Sequence, residues 1–119
     1  ALDLEFGFTL DACASADNHL CKRWFGEVDE GLMQSWKGER VWCNPPYGRQ
    51  IRRWMSKCAL EGTNGTLVVA LVPSRTDTAW WHDHVMTATE IRFIRGRLKF
   101  QGAIWNAPFP SALAIWSPE

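Results

Sequence analysis

The 119-residue chain lacks the long apolar segments of a membrane protein. No apolar run approaches the roughly 18 residues that a bilayer-spanning helix needs. The first residues, ALDLEF, also lack the basic start of a signal peptide. The sequence therefore predicts a single domain over residues 1–119, with no membrane partner and a cytoplasmic location.

The chain also lacks cysteine spacings that are typical of metal sites. Cys13, Cys21, Cys43 and Cys58 include no C-x-x-C pair, so we expect no metal. Cys43 and Cys58 lie in apolar patterns that are typical of small core residues. Free thiols in a chain without a secretion signal indicate a reducing compartment.

Net charge is absent as well, because 13 basic residues balance 13 acidic ones. Neutrality by itself argues against a nucleic-acid partner. The charges are segregated, however: residues 1–40 hold eight acidic and four basic residues, and residues 41–119 hold five acidic and nine basic ones. This distribution permits one basic face on a neutral protein. Two solvated faces of opposite sign would explain it equally well.

What the chain does contain is an alternation of strand and helix patterns. Between Gln50 and Leu60, apolar residues recur at the spacing of one helix face. A second helix is expected after a cap at Thr76 or Thr78. The segment EIRFIRGRLKF alternates apolar and basic residues, which predicts a strand with one buried and one charged side. Further strands are expected at residues 8–12, 41–43, 66–73 and 111–116.

This order predicts a small α/β protein with a mainly parallel sheet, covered on both faces, and an antiparallel C-terminal edge formed by the last two strands. In such sheets, ligands bind beyond the carboxyl ends of the strands. Three loops are therefore expected to meet: DACAS after the first strand, NPPYGR after the second and VPSRTD after the third.

The tetrapeptide Asn44-Pro45-Pro46-Tyr47 ends the second strand with unusual stiffness. The Asn44 side chain and the Pro45 carbonyl offer two acceptor oxygens. They suit the two protons of an amino group on a flat ring, with Tyr47 against the ring face. Holding those protons favours a tetrahedral, nucleophilic nitrogen. Since neutral asparagine accepts no proton at pH 7, this would be preorganised electrostatics rather than general-base catalysis.

The tetrapeptide resembles the (D/N/S)-P-P-(Y/F/W) motif of amino-group methyltransferases that use S-adenosylmethionine. Together with FGFTLDACAS, LVPSRTDTAWWH and RGRLKF, it resembles the small phage and prophage DNA N6-adenine methyltransferases of the Dam-related family. The resemblance implies a Rossmann-like fold, S-adenosylmethionine as cofactor, DNA as partner, and the cytoplasm of a bacterial or phage-infected cell. It also implies an N-terminally trimmed chain, because family members usually begin with a further segment that contains a Thr-Pro step.

The resemblance assigns the catalytic role to Asn44, Pro45, Pro46 and Tyr47, and the first cofactor loop to Asp11, Ala12, Cys13, Ala14 and Ser15. This loop departs from the usual pattern, because it has no Gly-x-Gly. Asp29 follows Asp11 by 18 residues, close to the spacing at which an acidic residue meets ribose hydroxyls. An exposed loop carboxylate is the alternative for Asp29.

A stacked adenine must leave the duplex before its amino group is accessible. We expect basic residues to hold the phosphates beside it, with a solvated or ion-paired surface as the alternative for each. The candidates are Arg49, Arg52, Arg53, Arg75, Arg95, Arg97 and Lys99.

Two other functions remain open at this point. The same tetrapeptide occurs in enzymes that methylate the amide of a glutamine side chain. The chain would otherwise be a catalytically decayed prophage protein that binds nucleic acid or a partner. The motif also permits N4 of cytosine as the target, and the oligomeric state is not predicted.

Overall fold

The computed structural model describes residues 2–15, 18–26, 30–99 and 105–118. Within these ranges, short helices and five strands alternate along the chain. In chain order they are α1 (Leu2–Phe6), β1 (Leu10–Asp11), a 3₁₀ turn (Gly31–Met33), β2 (Arg40–Cys43), α2 (Ile51–Thr63), β3 (Leu67–Pro73), α3 (Ala79–Asp83), a second 3₁₀ turn (Val85–Thr87), β4 (Glu90–Phe93) and β5 (Ser111–Trp116).

The strands form one mixed sheet in the order β1-β2-β3-β5-β4. The pairs β1–β2 and β2–β3 are parallel, whereas β5 runs antiparallel to both β3 and β4. The α/β class is therefore confirmed, and four of the five described strands run in one direction.

The last two strands, β4 and β5, pair antiparallel at one side of the sheet, as predicted. β5 lies inside the sheet, and β4 forms the edge. All six residues of β5 are buried, whereas β4 begins and ends with exposed residues. A wholly buried strand needs a partner on each side, and the half-exposed β4 suits the outside of the sheet.

Periodicity predicted α2 and α3, but α1 was not predicted. α2 buries Ile51, Trp54, Met55 and Cys58, as the spacing indicated. For α3, Thr78 is the cap, because its hydroxyl accepts a hydrogen bond of 3.3 Å from the backbone N–H of Trp81.

The strand predictions were less accurate at their ends. The first strand is shorter than predicted, although backbone hydrogen bonds to β2 extend from Thr9 to Ala12. The alternation after residue 90 was partly wrong, since the last residue of β4, Phe93, remains 66% exposed. Phe93 stacks beside Trp81, but α3 has only five residues and does not cover it.

The two faces of the sheet are covered by different structures. One face carries α2 and α3, whose apolar side chains pack with Val68, Ala70 and Ala114. The other face buries Val69 and Leu71 against α1 and neighbouring loop residues. Among the described helices, none combines the length and apolarity that crossing a membrane would require.

Candidate active site

A cleft of about 1170 Å³ opens where β1 and β2 end. Two of the three predicted loops line it directly, since Ala12–Ala14 follow β1 and Asn44–Tyr47 follow β2. The first turns of α2 close one side with Gln50, Arg53 and Trp54. Parallel strands end at the same edge of a sheet, and this brings the two loops together.

The loop after β1 is organised by a buried carboxylate. Asp11 is only 4% exposed, and its oxygens accept hydrogen bonds from the backbone N–H groups of Leu20 (2.8 Å) and Cys13 (3.4 Å). Burial raises the pKa of Asp11, and these two bonds partly oppose the rise. Asp11 and Ser15 do not line the cleft, whereas Ala12, Cys13 and Ala14 do. Asp11 therefore stabilises the loop through backbone hydrogen bonds and does not itself line the cleft.

The loop after β2 presents Asn44 and Tyr47 to the cleft. Pro45 is buried, and Asn44 and Tyr47 are half-buried. With the other described residues, the Asn44 side chain forms no hydrogen bond. Burial raises the pKa of Tyr47 to about 12, so the phenol is neutral at pH 7. The backbone then turns into α2 through Gly48, whose φ of 105° favours glycine.

Aromatic contacts connect Tyr47 to the segment before β5. The ring centroids of Tyr47 and Phe109 lie 5.1 Å apart at an interplanar angle of 79°. Arg75, from the loop after β3, places its Cζ atom 5.5 Å from the Phe109 centroid. The third predicted loop thus reaches the site through Phe109.

A wall of the cleft was missed by sequence reasoning. Residues 105–109 line it, although the sequence indicated only a loop between the last two strands. Local patterning carries no signal for this wall, because Phe109 reaches Tyr47 only through the placement of β5 beside β3.

Residues 30–33 and Phe25 form a further wall of the cleft. Glu30 adopts a left-handed conformation (φ 50°) and lines the cleft. Gly31 lies so close to the Ala12 carbonyl that a Cβ atom there would overlap it. The predicted ribose ligand Asp29 lies outside the described residues. The spacing from Asp11 that predicts Asp29 applies equally to its neighbour Glu30, so the sequence does not distinguish the two carboxylates.

The basic candidates occupy different surroundings. Of the seven, Arg53 alone lines the cleft, where its Nη1 donates to Oε1 of Gln50 at 3.3 Å. Arg52 pairs with Asp83 at 3.5 Å, and both side chains are exposed. Arg49 is exposed just before α2. Arg95, Arg97 and Lys99 are exposed beyond β4 and do not line the cleft.

No described group of three or more His, Cys, Asp or Glu side chains is placed to bind a metal ion. The described polar lining of the cleft includes the Asn44 amide, the Arg53 guanidinium and the Glu30 carboxylate.

Cys13 offers a direct test of the environment in the cleft. Burial, with a smaller effect of Asp11, raises its pKa to about 11. Because the thiolate is the reactive form, iodoacetamide at pH 8 should alkylate Cys13 about 100-fold more slowly than an unperturbed thiol. The rate should keep rising as the pH approaches 11. Peptide mapping by mass spectrometry measures it, with a short cysteine peptide as reference; alkylation of Cys13 at the peptide's rate would contradict the burial described here.

Comparison with known proteins gives three findings. A family model described as DNA N-6-adenine-methyltransferase (Dam) matches residues 1–111. A DNA N-6-adenine-methyltransferase of Escherichia phage T1 is 30% identical over 92 residues, which are 76% of this chain and 38% of the relative. One from Haemophilus phage HP1 is 29% identical over 87 residues, which are 73% of this chain and 50% of the relative. The matches thus extend over half or less of the length of these relatives.

Proposed function

Because the chain belongs to the DNA N-6-adenine-methyltransferase (Dam) family, we propose that it methylates the N6 amino group of adenine in DNA, with S-adenosylmethionine as methyl donor. One observation carries the proposal: the small-residue loop after β1 and Asn44–Tyr47 after β2 line the same cleft. A donor and an amino acceptor bound there would be neighbours.

The cleft residues fit a cofactor of this size. Ala12 and Ala14 leave room at the end of β1, and the volume of about 1170 Å³ exceeds that of one nucleoside-sized ligand. We infer a Rossmann-like fold, supported by parallel strands whose carboxyl ends border the cleft. Glu30 is the described acidic residue that lines the cleft, and it is proposed to accept hydrogen bonds from ribose hydroxyls. When bound, S-adenosylmethionine supplies an activated methyl group, and these residues bind and orient it.

Asn44 and the Pro45 carbonyl are proposed to hold the two amino protons of adenine. The Asn44 side chain makes no hydrogen bond to another described residue, so its amide oxygen is available to a ligand. Preorganised acceptors of this kind stabilise charge as it develops on the nitrogen. The neutral phenol ring of Tyr47 stacks against the base, and such stacking is worth about 1–3 kcal/mol. The released proton passes to solvent.

DNA is proposed to enter with the target adenine turned out of the duplex. Arg53 lies at the cleft and Arg49 just before α2, so both are suited to phosphates beside the flipped nucleotide. Arg52, Arg95, Arg97 and Lys99 are suited to more distant phosphates, with Arg52 leaving its exposed pair with Asp83.

A labelling experiment tests the proposed function. The protein is incubated with tritiated S-adenosylmethionine and plasmid DNA, and a release-factor protein is offered in parallel. Digestion of the DNA is expected to place the label in N6-methyladenine.

Label in N4-methylcytosine, or in glutamine of the protein substrate, would contradict the proposal and identify the alternative acceptor. Absence of label, together with no calorimetric binding of S-adenosylmethionine at millimolar concentration, would favour a binding protein without turnover.

A further inference from the structure

The loop after β3 contacts the site through a chain of three side chains. The guanidinium of Arg75 lies over the ring of Phe109, with its Cζ atom 5.5 Å from the centroid. The Phe109 ring lies nearly perpendicular to that of Tyr47, with centroids 5.1 Å apart. A cation over a ring face and a perpendicular ring pair are both favourable arrangements.

Backbone hydrogen bonds position both residues of the Arg75–Phe109 contact. Next to Arg75, the N–H of Ser74 donates a hydrogen bond of 2.8 Å to the carbonyl of Pro110, which follows Phe109. The Arg75 carbonyl accepts from both the N–H (3.1 Å) and the hydroxyl (2.7 Å) of Thr78, the cap of α3. Arg75 therefore extends from a turn that is tied to the segment carrying Phe109.

Arg75 has no ion-pair partner among the described residues. Arg52 and Arg92 form ion pairs with carboxylates, but Arg75 forms none with any carboxylate that the structure describes. The contact of its guanidinium with Phe109 is therefore not opposed by a salt bridge that would draw it away.

We propose that Arg75 is a positioning residue that acts on Tyr47 through Phe109. The inference rests on the proposed function, in which Tyr47 lies against the target base. It replaces the expectation that Arg75 binds a DNA phosphate: the loop after β3 restrains the ring on which the base stacks, while Arg53 and Arg49 remain available for phosphates.

The chain is well suited to testing this contact, because Tyr47 is its single tyrosine. Protein made with a ring-fluorinated tyrosine gives one fluorine resonance, which reports on Tyr47 alone. Arg75→Ala is expected to shift this resonance in the free protein, and Arg75→Lys, which keeps a cation for the ring, should return it most of the way. Lys37→Ala, which removes an exposed cation from another part of the molecule, should leave it unchanged.

Kinetics then separate positioning from phosphate binding. Arg75→Ala should lower kcat about threefold to tenfold, with KM for DNA and its dependence on salt concentration unchanged, and Arg75→Lys should recover most of kcat. A phosphate ligand would instead give a raised KM, and the slope of log affinity against log salt would fall by about one. That result, or an unshifted fluorine resonance, would overturn the proposal.

A double substitution tests the route through Phe109. In a Phe109→Leu background, Arg75→Ala should produce no further shift of the Tyr47 resonance, and an equal shift there would overturn the proposed route. If Phe109→Leu does not fold, the comparison of Arg75→Ala with Arg75→Lys decides alone. The spectrum of the free protein needs no methyl transfer, so failure of the proposed function is distinguishable from failure of the Arg75 contact.

Discussion

Replacing Asn44 with alanine is expected to lower the rate of methyl transfer by a factor of about 100 to 1000, the range seen when one preorganised charge-stabilising group is removed. The substitution deletes one of the two acceptors proposed for the amino protons of adenine. It leaves the loop after β1 and the wall at Glu30–Met33 in place. Calorimetric affinity for S-adenosylmethionine should therefore remain within about twofold.

The matched control for this variant is Asn64→Ala, which replaces an exposed asparagine at the end of α2. Its rate of methyl transfer should equal that of the unmodified protein. Turnover by Asn44→Ala at the unmodified rate would rule out the assignment of Asn44. A parallel loss of cofactor affinity would instead point to a damaged cleft.

The largest expected loss of stability follows from replacing Trp36 with alanine. Its side chain is fully buried, its Nε1 donates a hydrogen bond of 3.1 Å to the carbonyl of Gly31, and the ammonium of Lys57 lies 5.2 Å from its ring. Trp36→Ala leaves a large cavity and deprives a buried carbonyl of its donor. The free energy of unfolding should fall by about 3–5 kcal/mol, as measured by urea denaturation.

Two further variants separate the contributions to this loss. Trp36→Phe keeps most of the ring and removes the donor, so it should cost about 1–3 kcal/mol. Trp105→Ala removes an indole that is 81% exposed and should change stability by less than about 0.5 kcal/mol. If Trp36→Ala cost no more than Trp105→Ala, Trp36 would not support the wall of the cleft.

Two predictions that depended on local pattern agreed with the structure. The helical spacing of Ile51, Trp54, Met55 and Cys58 gave the buried face of α2. The continuous apolar run from Leu67 to Pro73 indicated a strand buried along its whole length, and all seven residues are buried. Short-range periodicity is sufficient here because each element has one dominant environment.

Features that depend on contacts between distant segments were not predictable in this way. The insertion of β5 between β3 and β4 depends on pairing partners, and the run SALAIW is compatible with any buried position. The wall at Phe109 follows from that insertion. The pairing of Arg52 with Asp83 depends on how α2 and α3 pack, so charge along the sequence did not distinguish Arg52 from Arg53.

Placement of β5 inside the sheet has a consequence for synthesis of the protein on the ribosome. β3 and β4 emerge first, and each then has an unpaired strand edge on the side that β5 later occupies. Unpaired strand edges can pair with strands of other chains and so promote aggregation. A nascent chain therefore passes through a stage in which its helices have been made but its sheet is open. The wall carrying Phe109 is completed only when Ser111–Trp116 closes that gap.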